Sequence, residues 1–471
     1  MPDTPPTLAG HWARSRESAL AALRRGDLAA AAQALAQLES LLAAAEGPAA
    51  ARARAHAEIG DLAVLLEDYS GARRHYGAAL ALDPRQARFW FNRATVQRFL
   101  GDLAAAERDY DACLELDPAD AQAWLNRSEL RQQTAERNHL PQLEQALQAA
   151  LGQWQREVPL RYALAKEYED LGEWPRAWAQ LSAGAALRRR HLEYDVRADL
   201  AALASIRDAF PDPPSAGVGA ASPGPIFILG LPRTGSTLVE RILGRHSQVQ
   251  AAGELPHFGA AVVDAVQRRH AGRKLPRSQL IAESARLDFT ALGADYLRRT
   301  RPRAGQRPFF TDKLPLNFLY CGLIARALPH ARLVHVIRGP MATCYSIYKV
   351  LFDRGYPFSY DLNELADYYV GYRALMAHWE RTLPGRLVTI RYETLLDQPQ
   401  GTVERLLGEL GLPWEPHCLA FEDNPAPVAT ASAAQVRRPL YRESRSLWRR
   451  YVRELAPLAA RLEAAGIAIE P

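Results

Sequence analysis

The first 210 residues interleave Ala and Leu with Arg, Glu and Gln, all good helix formers, while glycine is sparse and β-branched residues are few. This texture predicts helices throughout. After residue 225 the pattern changes. PIFILGL, RLVHVIRG and RLVTIRYE are short apolar runs with β-branched residues and the length of strands. Between them, TLVERILGRH and PLNFLYCGLIARAL read as helices. Strands alternating with helices predict a parallel sheet covered by helices on both faces. Residues 211–224, rich in Pro, Gly, Ser and Ala, read as a linker between the two textures.

The helical half repeats itself at a spacing of 34 residues. Tyr76, Leu82, Asp83 and Pro84 recur as Tyr110, Leu116, Asp117 and Pro118. Ala87, Trp90, Asn92 and Arg93 recur as Ala121, Trp124, Asn126 and Arg127. That period, with a Pro after Leu-Asp, is the tetratricopeptide (TPR) pattern. Each helix pair must stack on its neighbours to bury its apolar face. A degenerate unit is expected at about 160–190, and a further helix pair over 11–48 with its turn at Gly26-Asp27. Such an array offers a surface able to grip a peptide or protein partner.

Composition adds exclusions. The net charge is +5, with 58 Lys+Arg against 53 Asp+Glu, and nearly all the basic residues are Arg. No basic stripe stands out, so no nucleic-acid partner is expected. Cys113, Cys321, Cys344 and Cys418 are scattered, which suggests neither a zinc site nor a disulfide framework. No signal peptide or membrane span is read, and a cytoplasmic location is expected.

The candidate chemistry begins at GLPRTGSTLVERIL, residues 230–243, directly after the first strand. Strand, glycine turn and helix make a P-loop-like anion cradle, with Ser236 where GxxxxGK[ST] has its Lys. Gly235 permits close backbone approach, Ser236 and Thr237 offer hydroxyls, and Arg233 can lie across an anion. Without that Lys, and with no Asp expected at a strand tip, Mg²⁺–nucleoside-triphosphate chemistry is disfavoured.

FILGLPRTGSTLVERIL resembles the 5′-phosphosulfate loop of sulfotransferases, and most of all that of the tyrosylprotein sulfotransferases. RLVHVIRGPMATCYSIY, residues 332–348, resembles the family's 3′-phosphate segment, with Arg338 at a strand end and Ser346 eight residues later. The resemblance covers roughly 225–455. It implies an all-α TPR solenoid (1–210) followed by an α/β, P-loop-like, parallel-sheet sulfotransferase domain (225–471). It also implies 3′-phosphoadenosine-5′-phosphosulfate (PAPS) as co-substrate, with no metal, and a hydroxyl-bearing acceptor, a peptide tyrosine among the candidates.

By the same resemblance, Arg233, Thr234, Gly235, Ser236, Thr237, Arg338, Ser346 and Tyr392 would bind the nucleotide, as would Ser432 and Arg438 in the Arg-rich segment 432–451. Glu254 in AAGELPH would be the general base, with His257 as a rival. Lys313, in a Lys-x-Pro turn, would meet the transferring sulfuryl group, with Asp312 orienting it. Arg437, Arg442, Arg445 and Arg449 are further candidates at the C-terminal segment. Two other readings stay open: a P-loop nucleotide kinase or NTPase, and a non-catalytic TPR adaptor.

Overall fold

The computed structural model describes residues 8–24, 26–213, 219–220, 224–353, 355–424, 426–429 and 445–469. The chain forms two compact units, one of residues 1–184 with 425–435, the other of residues 185–424 with 436–471.

The first unit is helical. Its elements are α1 (Leu8–Arg24), α2 (Leu28–Ala43), α3 (Ala49–Leu65), α4 (Tyr69–Leu82), α5 (Ala87–Leu100), α6 (Leu103–Leu116), α7 (Ala121–Ser128), α8 (Leu140–Ala150), α9 (Trp154–Asp170) and α10 (Trp174–Arg190), the last crossing the division between units. The repeat seen in the sequence returns as repeated bonds. Trp90 Nε1 donates to the Pro84 carbonyl at 2.8 Å, and Trp124 Nε1 to that of Pro118 at 3.0 Å. Asp27, Asp68 and Asp102 each cap a helix by accepting the N–H three residues on, a contact worth about 1 kcal/mol per helix. Small Ala side chains let α2–α5 approach closely around Leu38, Ile59, Leu62 and Tyr76.

The second unit opens with α11 (Val196–Ala209) and is built on five parallel strands. These are β1 (Pro225–Leu229), β2 (Val249–Ala251), β3 (Phe309–Lys313), β4 (Arg332–Ile337) and β5 (Leu387–Arg391), in the order β2-β3-β1-β4-β5. The helices are α12 (Ser236–Leu243), α13 (His257–Arg269), α14 (Arg277–Ser284), α15 (Phe289–Ala304), α16 (Cys321–Ala327), α17 (Pro340–Tyr348), α18 (Leu362–Thr382), α19 (Tyr392–Asp397), α20 (Pro399–Leu410) and α21 (Ala456–Ala464). Every residue of β1 is buried. Ile226 and Ile228 face α12 and α20 through Val239, Ile242, Leu406 and Leu407. Phe227 faces the other way, 5.9 Å from Phe258 of α13 and 5.4 Å from Tyr296 of α15. Burial on both faces is what a run of unbroken apolar residues in a parallel sheet produces.

Two strands beyond the three apolar runs complete the sheet. β2 has only three residues, and β3 reads FFTDK, whose Thr, Asp and Lys hide a strand buried from Phe310 onward. The expectation that no Asp stands at a strand tip fails here, because Asp312 is the penultimate residue of β3. The strand order switches sides at β1, with β2 and β3 on one side and β4 and β5 on the other, all strands running parallel. In parallel α/β sheets, ligands bind in the crevice at the carboxyl ends of strands where the order reverses.

Candidate active site

The loop after β1 lies at that point. Gly230 has φ +145°, and a Cβ there would sit 2.5 Å from the Val336 carbonyl oxygen of β4. Gly235 has φ +101°, and its Cβ would sit 2.6 Å from the Tyr392 ring. Both positions therefore require glycine twice over, for backbone angle and for space. Arg233 takes φ 68°, a left-handed conformation that costs a non-glycine residue energy and concentrates at functional turns. Thr234 Oγ1 donates to the Leu231 carbonyl at 2.9 Å and braces the turn. Ser236 and Thr237 are the first residues of α12, whose leading N–H groups lack intrahelical acceptors and favour an anion.

Arg338 follows β4 and reaches the same place. Its Nη1 donates to the Arg233 carbonyl at 3.2 Å, and its guanidinium lies 5.1 Å from the Tyr392 ring centroid. The Gly339 N–H donates to Glu393 Oε1 at 3.0 Å, and Thr343 Oγ1 to the Arg338 carbonyl at 3.1 Å, which fixes the β4–α17 turn. Arg233, Gly235, Arg338 and Tyr392 thus form one cluster. Ser346 is half-buried, two turns along α17. Ser432, Arg437, Arg438 and Arg442 lie outside the described residues. Arg445 is engaged with Asp397 at 2.7 Å, and Arg449 lies over the Trp448 ring.

Lys313 ends β3, where the register sets it beside Ile228 of β1. The N–H of Gly230, which opens the phosphate loop, donates to the Pro315 carbonyl just past Lys313 at 3.2 Å. Lys313 is only 1% exposed, so it is no solvated turn residue. Its Nζ meets Glu254 Oε1 at 2.5 Å, and the Glu254 side chain is 44% exposed. The two residues singled out for chemistry, 59 positions apart, are in contact. His257 opens α13 half-buried, and burial together with Arg303 and Arg299 pulls its pKa down to about 4. Its Nδ1 is buried without a hydrogen-bond partner.

Asp312 does not orient Lys313. The pleat turns successive side chains to opposite faces, and Asp312 instead accepts from Tyr296 OH and from Asn317 Nδ2, both at 2.9 Å. Burial raises its pKa to about 7, against the pull of these two bonds. An unfolded Asp titrates near 3.9, so the folded state binds the extra proton between about pH 4 and 7. The stability tied to this proton is present below that window and lost as pH rises through it, a swing of order 4 kcal/mol. Asp312→Asn is therefore expected to flatten the pH dependence of unfolding between pH 4 and 7. Denaturant titrations of both proteins at several pH values check this, and equal slopes would refute it.

Glu240 was not singled out in the sequence. It lies inside α12, where every residue is buried, and accepts from Thr311 Oγ1 at 2.9 Å and from the Gly253 N–H at 3.0 Å. Burial raises its pKa, and Lys313 opposes that rise. No local signal marks it, because α12 reads STLVERIL, and Arg241 beside Glu240 gives the helix the look of one with a solvent-facing polar side.

Residues 225–416 match the sulfotransferase family. Residues 87–120 match a tetratricopeptide repeat. An uncharacterized protein of Aquifex aeolicus is 36% identical over 249 residues, which are 51% of this chain and 32% of that protein. The chain thus spans about a third of the length of that relative. Protein-tyrosine sulfotransferase 1 of Danio rerio is 23% identical over 262 residues, half of this chain and 71% of that protein. Among solved structures, a sulfotransferase domain from the curacin biosynthetic pathway aligns with 50% of this chain and 99% of its own, at 19% identity and a TM-score of 0.31. Among the described residues, no helix is long and apolar enough to cross a membrane.

Proposed function

We propose that this chain is a PAPS-dependent sulfotransferase that moves a sulfuryl group to a hydroxyl acceptor. The carrying observation is the meeting of the buried Lys313 with Glu254 on the strand next to a glycine-built phosphate loop. PAPS supplies a sulfuryl group on a good leaving group. Its anionic ends suit the residues present: the loop and the start of α12 for the 5′ side, and Arg338 for the 3′-phosphate, bonded as guanidinium to phosphate. Glu254, half-open to solvent, takes the acceptor proton. Lys313 holds its positive charge beside the oxygens on which negative charge grows.

A peptide tyrosine is the proposed acceptor, supported by the names of the curated relatives and by a repeat unit of the kind that grips peptides. A cytoplasmic location belongs to the same proposal, supported by four buried, free thiols. Against the kinase reading, Ser236 stands where a P-loop Lys would be, and Asp312 is buried against Tyr296 and Asn317.

Calorimetry without Mg²⁺ tests the proposal. Wild type should bind PAPS well and ATP poorly. Arg338→Ala should bind PAPS about 10- to 100-fold more weakly, the value of one or two charge-assisted bonds. No PAPS binding, or a Mg²⁺-dependent preference for ATP, would overturn it.

A further inference from the structure

We infer that Glu240 is a positioning residue that holds Glu254 against Lys313, an inference that rests on the function proposed above. Three bonds fasten the two residues before Glu254. The Ala252 N–H donates to Thr311 Oγ1 at 3.3 Å. The Gly253 N–H donates to Glu240 Oε1 at 3.0 Å. The Gly253 carbonyl accepts from the Lys313 N–H at 2.9 Å. Thr311 Oγ1 in turn donates to Glu240 Oε1 at 2.9 Å, so one buried carboxylate oxygen ties the hydroxyl and the second amide together.

The arrangement has a mechanical consequence. Gly253 takes φ +75°, a conformation open to glycine but not fixed by it. Without an outside acceptor the turn would sample other angles, and the Glu254 side chain would sweep with it. Glu240 comes from the helix that begins at Ser236 and Thr237 of the phosphate loop. The same short helix thus presents its N-terminus to the nucleotide site and, one turn later, fixes the backbone of the proposed base. The charges around Glu240 are Lys313, which favours its ionised form, and Glu254 and Asp312, which stand near enough to oppose it. A buried carboxylate that accepts two hydrogen bonds and faces a buried ammonium is held in one orientation.

Hydrogen exchange at the Ala252 and Gly253 amides, adenosine 3′,5′-bisphosphate binding and kcat together decide the matter in the full chain. In Glu240→Ala, exchange at Gly253 should accelerate at least about tenfold and kcat should fall at least about tenfold, with bisphosphate affinity within about twofold of wild type. Glu240→Gln keeps an oxygen that can accept the same N–H and should recover most of both losses. If Glu240→Ala does not fold, Thr311→Val removes the acceptor of the Ala252 N–H and one of the two donors that hold Glu240 Oε1, and should speed exchange at Ala252 strongly and at Gly253 less. Wild-type exchange and wild-type kcat in the variants would overturn the role, as would a fall in bisphosphate affinity equal to the fall in kcat. A wild type that transfers no sulfuryl group would sink the proposed function alone, because the exchange rates still report whether Glu240 holds Gly253.

Discussion

Glu254→Gln is expected to lower kcat for a phenolic acceptor by about 10²–10⁴-fold, the usual worth of a positioned general base. A phenol loses its proton near pH 10, so at neutral pH attack on sulfur needs that proton removed as the bond forms. Glutamine keeps the shape and one oxygen for Lys313 Nζ, now 2.5 Å from Glu254 Oε1, but it cannot take a proton. Nucleotide affinity should change little, since the proposed role of Glu254 is toward the acceptor. The loss should shrink as the acceptor phenol becomes more acidic, because a phenol already partly ionised needs less help. Steady-state kinetics over a series of substituted phenols, beside calorimetry of the bisphosphate product, provide the check. An equal loss for every phenol would show that the residue acts by geometry alone. Full activity in the variant would return the base role to His257, which is neutral at that pH because burial and two Arg residues depress its pKa to about 4.

What the sequence revealed and what it hid follow from the range of the interactions involved. The repeat was legible because its determinants are local: Trp90 and Trp124 each bond a carbonyl six residues back, and Asp68 and Asp102 each cap the helix they precede. The phosphate loop was legible because glycines at positive φ cannot be replaced cheaply by other residues. The strand FFTDK was not, because its polar residues are satisfied by partners far along the chain: Thr311 by Glu240, Asp312 by Tyr296, Lys313 by Glu254. Period and propensity carry no trace of such pairings. Glu240 was passed over for the same reason, since nothing local says that a helix carrying a carboxylate is buried on all sides. Asp312 is not the partner of Lys313, although the two are adjacent in sequence. On a strand adjacency means opposite faces.

Lys313→Met is expected to lower kcat by about 10²–10³-fold, comparable to loss of one preorganised donor at a site where charge develops. The side chain is 1% exposed, so its ammonium acts with little solvent screening. Methionine fills similar space, which separates the missing charge from a cavity. Arginine should not rescue, because a forked guanidinium does not fit a pocket shaped around an ammonium. The same charge also matters to the fold. Glu254 can turn to solvent when Lys313 is gone, but Glu240 cannot, being buried and already favoured toward its protonated form by that burial. Removing one member of a buried charge pair costs about 3–5 kcal/mol where the survivor stays charged, and less where it can take a proton. Adding Glu240→Gln to Lys313→Met should therefore restore stability in denaturant titrations while leaving kcat low. Recovery of stability without activity would separate the two roles of Lys313, the structural one toward Glu240 and the chemical one toward the transferring group. A double variant no more stable than Lys313→Met would mean that Glu240 does not depend on this charge, and that Lys313 serves the chemistry alone.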